Sequence, residues 1–244
     1  MRLTRIHAPG PLTEGATLAL AARASAHLAR VLRLKAGAAL ALFDGAGGEH
    51  RATIRTIRDA TVEVLVGAAL VAAPDSPLAI TLAQGVSRGE RMDYAIQKAT
   101  ELGVARIVPL WCERSVVRLD AARAAKKHEH WCAVATAAAE QCGRARLPQL
   151  DAVTAFAAHV AAPATTALRL VLVPDASQGP RQLPAGVASI EVLVGPEGGL
   201  GPAEIELALA RGYAGLRLGP RVLRTETAAA AAIAALQALY GDLG

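Results

Sequence analysis

The fifty residues from Glu191 to Tyr240, EVLVGPEGGLGPAEIELALARGYAGLRLGPRVLRTETAAAAAIAALQALY, constrain the fold more than any other part of the chain. Glu191 to Gly195 is an apolar, β-branched run that stops at G-P-E-G-G, the pattern of a buried strand ending in a turn. Pro202 then opens a helix that carries Glu204 and Glu206 in its first turns, where carboxylates suit the dipole, and that stops at Gly212. A second, shorter strand is predicted over Gly215 to Leu218, followed by the loop GPRVLR. Thr225 or Thr227 is placed to cap an Ala-rich helix that reaches Tyr240. The two strand-to-helix loops offer a ligand bare peptide N–H and C=O groups at Gly195, Gly198, Gly199 and Gly219. Neither GxGxxG nor GxxxxGK[ST] occurs in the chain, so a dinucleotide or nucleoside-triphosphate site lacks its mechanical basis.

A chain of 244 residues is longer than one typical domain and can bury a substantial core without staples. Cys112, Cys132 and Cys142 are odd in number and form no CxxC, which argues against a disulfide framework or zinc knuckle and for a reducing, cytoplasmic location. The start, MRLTRIHAPG, lacks the apolar core of a signal peptide, and the longest apolar run, Ala228 to Leu236, is too short to span a bilayer. A soluble protein is therefore expected. Residues 1–73 carry nine Lys/Arg against five Asp/Glu, while the rest carries seventeen against sixteen. A basic small domain beside a near-neutral larger one suits a polyanion-binding module attached to a catalytic one, although a solvated surface gives the same count.

The first third reads as mostly β. Lys35 to Phe43 and His50 to Ile57 are strand-like runs separated by the hairpin signal DGAGGE, and Thr61 to Val66 follows a short RDA turn. Ahead of them, Ala24, Leu28, Val31 and Leu32 recur at helical spacing among Arg23, Arg30 and Arg33. Phe43 is the lone aromatic here, which favours backbone and shape contacts by arginine over stacking of unpaired bases. AAPDSP, residues 72–77, places a domain boundary after residue 73. Beyond it strands and helices alternate: Leu78 to Ala83, Arg91 to Leu102, Ala105 to Leu110, Asp120 to Cys142 and Leu168 to Val173. Such alternation implies an α/β domain, 74–244, with a mostly parallel sheet whose ligands sit beyond the carboxyl ends of the strands.

Several polar residues sit where they could act. Arg88 and Arg91 flank Gly89 just before a helix, placed to hold phosphates or simply solvated. Glu140 and Arg144 are four apart, an intrahelical pair unless Gly143 ends the helix between them and turns both toward a cleft. Arg114 follows a strand end. His128, His130 and Cys132 are the one cluster with metal-ligand chemistry, but KKHEHW also reads as an exposed helical face and two ligands make no site, so no metal is expected.

The loops LVGPEGG and LRLGPRVLRTETA together resemble the cofactor-binding end of the SPOUT methyltransferases, and within them the family that methylates N3 of a uridine in small-subunit ribosomal RNA. QGVSRGERMDYAIQKATELGVARIVPLWCERSVVR, residues 84–118, resembles that family's first strand-helix-strand unit. AAAEQCGRARLP resembles its EQxGR signature, and SAHLARVLRLKAGAALALFDGAGGE its PUA-like RNA-binding barrel. The resemblance implies a deep trefoil knot in 74–244, a PUA-like β-barrel in 1–73, and methyl transfer from S-adenosylmethionine. It places the cofactor on Val194, Gly195, Pro196, Glu197, Gly198 and Gly199 and on Leu216, Leu218, Gly219, Val222, Leu223, Arg224 and Thr225, with Leu172, Leu193 and Leu218 enclosing the adenine. Arg2, Arg5, Arg23, Arg30, Arg33, Arg88 and Arg91 are the expected RNA contacts.

For catalysis, Glu140 or Glu226 could remove the uracil N3 proton, or Arg114 or Arg144 could stabilise the uracil anion. A homodimer with shared active sites is expected from the resemblance, and the nearly continuous apolar surface of the final helix gives it a physical reason. The partner is small-subunit ribosomal RNA or the assembled subunit. A knotted methyltransferase acting on ribose or transfer RNA, or a non-catalytic RNA-binding assembly protein, would share most of these features.

Overall fold

The computed structural model describes residues 3–115 and 121–244; Arg2 lies outside them, as does the predicted helix start at Asp120. The chain forms two compact units. One holds the residues up to Asp75 together with Thr136–Leu147, and the other holds Ser76–Ala135 with Pro148–Gly244.

The first unit is a five-stranded sheet of β1 (Thr4–His7), β2 (Thr17–Ala19), β3 (Ala39–Phe43), β4 (Glu49–Arg58) and β5 (Thr61–Ala69), in the order β1-β3-β4-β5-β2. β1 and β3 are parallel and the remaining pairs antiparallel. Strict alternation builds its centre: Ala52 and Ile54 on β4 and Val62, Val64 and Val66 on β5 face the core, while Arg51, Thr53, Arg55, Glu63 and Leu65 face out. The RDA turn between them uses Asp59 and Ala60 at φ 46° and 64°, the left-handed conformation of a two-residue hairpin. That strain, roughly 1–2 kcal/mol per residue, is offset by the three valines, each contributing roughly 1.5–3 kcal/mol when buried. In place of one helix over 24–34, α1 (Ala22–Ala26) widens into a π-helical turn, His27–Val31, and Arg33 at φ 54° ends it. β1 and β2 are too short to show a period, so neither was predictable from pattern.

Arg5 is the polar centre of this unit. It is buried, its Nε and Nη2 donate to the two carboxylate oxygens of Glu49, both at 3.0 Å, and its Nη groups donate to the carbonyls of Ala139 and Arg144. Its guanidinium also lies 4.7 Å from the centre of the Phe43 ring. The sequence presents Arg5 as one more surface charge, whereas the structure commits it inside.

The second unit is a seven-stranded, wholly parallel sheet of β6 (Ala79–Gly85), β7 (Arg106–Trp111), β8 (Gln149–Leu150), β9 (Thr154–Ala155), β10 (Leu168–Leu172), β11 (Ser189–Val194) and β12 (Ala214–Leu216). Its order is β12-β10-β11-β6-β7-β8, with β9 also on β7. α2 (Glu90–Glu101), α6 (Thr225–Tyr240) and the Trp131 to Ala135 part of α3 (Ala121–Cys142) cover one face through Met92, Ile96, Trp131, Ile233 and Leu236. α4 (Phe156–Ala161) and α5 (Pro202–Ala210) cover the other through Phe156, Val160 and Ala208. Burial on both faces is why the strands read as continuous apolar runs. On α6, Ala229, Ala232, Ile233 and Leu236 are buried, Ala230, Ala231, Ala234 and Ala235 are half-buried, and Leu239 is exposed. Gln237 anchors the helix, donating to the Leu102 carbonyl at 2.9 Å and accepting from the Ser76 hydroxyl at 2.7 Å.

On the α4 and α5 face, a buried polar group joins the strands. Glu191 accepts from the Tyr213 hydroxyl and faces His159 Nε2 at 3.0 Å, while Arg169 donates to the Tyr213 hydroxyl at 2.6 Å. Burial pushes the Glu191 carboxyl up, but the hydrogen bonds from His159 and Tyr213 and the nearby positive charges outweigh it, so it titrates below the ordinary glutamate range. A depressed folded value means stabilisation that is complete above the unfolded pKa and lost as pH falls through the folded one. Glu191→Gln should therefore cost roughly 3–5 kcal/mol at neutral pH, and the gap between the two melting curves should close as pH is lowered into the acid range.

Candidate functional site

The carboxyl ends of β10, β11 and β12 open onto a cavity of about 470 Å³, within the range of small-molecule sites. Both glycine loops line it, with Leu172, the whole run Val194–Leu200, Leu216, Leu218, Gly219 and Val222 through Glu226, and so do Arg91 and Arg114. Thus every loop residue assigned to the cofactor from sequence, together with Leu172, reaches one place, whereas Leu193 does not line it and is buried among the residues packed under α4 and α5. Val173 and Pro174 at the end of β10 and Arg217 and Arg221 within the second loop line it too, and so do Leu200, Ile205 and Ala228, which were not anticipated and whose signal was only their adjacency to the loops.

Local chemistry shapes the loops. The first loop turns through a Gly199 N–H to Pro196 C=O bond of 2.9 Å, and Glu204, three residues into α5, accepts from the Gly201 N–H at 2.9 Å and the Glu113 N–H at 2.8 Å. Thr225, the first residue of α6, donates its hydroxyl to the Gly195 carbonyl at 2.6 Å and accepts from Gln84 Nε2 at 2.9 Å. The two key glycines are glycine for different reasons. A Cβ on Gly195 would stand 2.8 Å from the Leu200 nitrogen and 2.9 Å from the Gly199 carbonyl carbon, so the loop itself, before any ligand, excludes a side chain there. Gly219 has open space around it but sits at φ +81°.

Cavity walls are apolar at Leu172, Val173, Leu216, Leu218 and Leu223, and its charges are five arginines against Glu197 and Glu226. Glu197 Oε1 accepts from the Arg88 N–H at 2.7 Å and from Arg91 Nη1 at 3.0 Å. Partial burial raises its carboxyl, yet those hydrogen bonds and the Arg91 charge bring it below the ordinary range. Arg114 donates to the Gly198 carbonyl at 3.1 Å. Glu226 has one carboxylate oxygen, Oε2, shielded from solvent with no hydrogen-bond partner among the described residues. No cysteine or histidine lines the cavity, and the nearby Cys112 thiol is pushed up to about 12 by burial and by Glu204, too high for a nucleophile. The arrangement suits binding and alignment of an already activated donor rather than covalent catalysis.

The other sequence candidates fall elsewhere. Glu140 and Arg144 belong to the first unit, where Glu140 accepts from the His7 N–H at 3.0 Å and Arg144 lies 3.8 Å from Asp75. Arg23, Arg30 and Arg33 are exposed on that unit. Cys132 lies 3.8 Å from His128, whose Nε2 is 3.0 Å from the Leu150 carbonyl, and no group of three or more metal-ligating residues occurs among the described residues.

A family model for an RNA methyltransferase domain matches residues 74–237, and one for an RNA methyltransferase PUA domain matches 20–66. Ribosomal RNA small subunit methyltransferase E of Buchnera aphidicola is 32% identical over 99% of this chain and 98% of its own, and that of Bacillus subtilis 31% over 95% of both. Among solved structures, a protein from Legionella pneumophila described as a methyltransferase, in complex with the cofactor SAM, superposes with a TM-score of 0.96 at 41% identity over the whole of both chains. Ribosomal RNA small subunit methyltransferase E from Neisseria gonorrhoeae, bound to S-adenosyl methionine, gives 0.92 at 33%, again over the whole of both.

The Thr225 junction is the part of the site most exposed to a small change. Thr225→Val keeps the shape of this buried residue but removes the hydroxyl between the Gly195 carbonyl and Gln84, leaving only the bonds of Gln84 Nε2 to the Gly85 and Gly195 carbonyls, and should cost roughly 0.5–1.5 kcal/mol in denaturant unfolding. Thr225→Ser, which keeps the hydroxyl, should recover most of that loss.

Proposed function

We infer that this chain, which belongs to the RNA methyltransferase family, methylates small-subunit ribosomal RNA, taking the methyl group from S-adenosylmethionine and delivering it to N3 of a uridine. The observation that carries the reading is the cavity at the strand ends, built from the two loops that line it in a chain matching enzymes of that name from end to end. The cavity fits the cofactor: its volume is that of a small-molecule site, its walls are apolar, and its one uncommitted carboxylate suits a cation. The peptide groups of Val194–Gly199 and Leu216–Leu223 would hold the adenosine, with Leu172 and Leu218 against the adenine. Bound there, the cofactor supplies a methyl group electrophilic enough to need no further activation.

What remains for the protein is alignment, worth up to roughly 7–11 kcal/mol in well-oriented systems, and management of the uracil N3 proton. Arg114, on the cavity wall, is placed to stabilise the uracil anion. Glu140, Glu226 and Arg144 are the other candidates for this step. Residues 1–73 serve as the RNA-binding module, with Arg23, Arg30 and Arg33 on its exposed surface, and residues 74–244 as the catalytic domain with the family's deep trefoil knot. The working unit is a homodimer in the cytoplasm, each active site completed by the partner chain. The half-buried alanine face of α6 and the exposed Leu239 support association through this helix.

Incubation with tritiated S-adenosylmethionine and small ribosomal subunits or their free RNA should label one uridine in the RNA. Label in transfer RNA or on a ribose would mean a different knotted methyltransferase, and no label with intact RNA binding would mean an assembly protein. RNA affinity should fall steeply with salt, and each of Arg23→Ala, Arg30→Ala and Arg33→Ala should reduce that slope by about one unit at most. Mixing Arg144→Ala with Gly195→Val protein should restore some activity through heterodimers, and sedimentation of a fully active monomer would remove the dimer from the proposal.

A further inference from the structure

We propose that Glu226 is the residue by which this chain tells the charged methyl donor from the spent, uncharged product. The proposal rests on the reading that the cavity takes S-adenosylmethionine, and deepens it.

Charge in the cavity is lopsided. Among the described residues Arg91, Arg114, Arg217, Arg221 and Arg224 line it, and only Glu197 and Glu226 oppose them. Glu197 also has an Oε2 without a hydrogen-bond partner, but its charge is already met through Oε1 by Arg91 and by the Arg88 N–H. Glu226 makes no ion pair among the described residues, and its Oε2 is both shielded from water and without a hydrogen-bond partner. A carboxylate oxygen taken out of water with nothing to meet it is costly, and in a residue that lines a ligand cavity this points to a cation arriving with the ligand. The first turn of α6 does favour an acidic residue through its dipole. That alone asks nothing of the ligand and would be satisfied by a carboxylate facing solvent, which this oxygen does not.

The donor offers two cations, the sulfonium and the amino-acid ammonium, and one anion that the arginines can take. Only the sulfonium changes during the reaction. As the uracil nitrogen lone pair forms its bond to the methyl carbon, the sulfur–carbon bond breaks with its electron pair remaining on sulfur, the N3 proton leaves to a base or solvent, and the sulfonium becomes a neutral sulfide. A carboxylate beside the sulfur therefore attracts the donor and loses that attraction as soon as the methyl group has gone. Glu226 would thereby favour loading and relax its hold on product without any movement of the loops.

The test is calorimetric binding by the full chain of three probes: S-adenosylmethionine, S-adenosylhomocysteine, and sinefungin, which carries an ammonium on carbon where the donor carries its methylsulfonium. Glu226→Gln should weaken S-adenosylmethionine and sinefungin at least tenfold, about 1.4 kcal/mol, and change S-adenosylhomocysteine less than twofold. Retained product binding certifies the fold of the variant in the same experiment. An equal loss for all three would overturn the proposal, because the carboxylate would then meet the common ammonium or serve the structure alone. Unchanged binding of all three with a lower single-turnover rate would also overturn it, in favour of a base. If the unaltered chain binds none of the probes, the S-adenosylmethionine reading itself falls, and this inference with it.

Discussion

One hydroxyl holds the cavity together. Thr225 Oγ1 stands between the Gly195 carbonyl and Gln84, and so joins the end of β6, the loop after β11 and the start of α6 at a single buried point. Each of those three pieces presents a different wall: β6 leads toward Arg91, the loop supplies backbone, and α6 brings Glu226. The loops have no side chains at their closest approaches and cannot fix themselves by packing. Their shape depends on hydrogen bonds made from elsewhere, including Arg114 to Gly198 and Glu197 to Arg88.

The same residue type does opposite work in different settings. Arg5 and Arg169 are buried, bonded to carboxylate, carbonyl or phenol oxygens, and act as internal braces. Arg23, Arg30 and Arg33 are exposed at the surface, where a charge would act at a distance on a polyanion. Net charge alone treats all five alike. What separates them is local: Arg5 lies in a strand beside Ile6 and opposite Ala41, with Glu49 on the next strand to receive it, whereas Arg30 lies in a helical turn and Arg33 just past its end, both exposed.

That difference marks the limit of what was legible in the sequence. The alternation of apolar runs and helical patterns was enough for the parallel sheet, because strands buried on both faces leave an unmistakable apolar signature. G-P-E-G-G and GPRVLR were enough for the two loops of the cavity, because turns of that kind need glycine and proline. Hidden were the features set by distant partners. Gln237 reads as one polar residue on an apolar helix, and only Leu102 and Ser76 explain it. β8 and β9 are two residues each, too short for any period, and exist because β7 has edge to offer. Glu140 and Arg144 read as a pair four apart, but Glu140 bonds to His7 and Arg144 lies beside Asp75. Gly195 looked like a space kept for a ligand and is required first by Leu200.

The distance along the chain between Gln84 and Thr225 has its own consequence. They are 141 residues apart, and at ribosomal speeds of about 5–20 residues per second the second is made on the order of ten seconds after the first. β7 is synthesised soon enough to pair with β6 on one side, but β11, its other neighbour, comes about a hundred residues later. Through that interval a largely apolar strand has an open edge, the kind of surface that recruits other unfinished chains. The edge of β6 is covered only once β11 has been made, and the cavity, whose lining runs on to Ala228, is complete only when almost all of the chain exists.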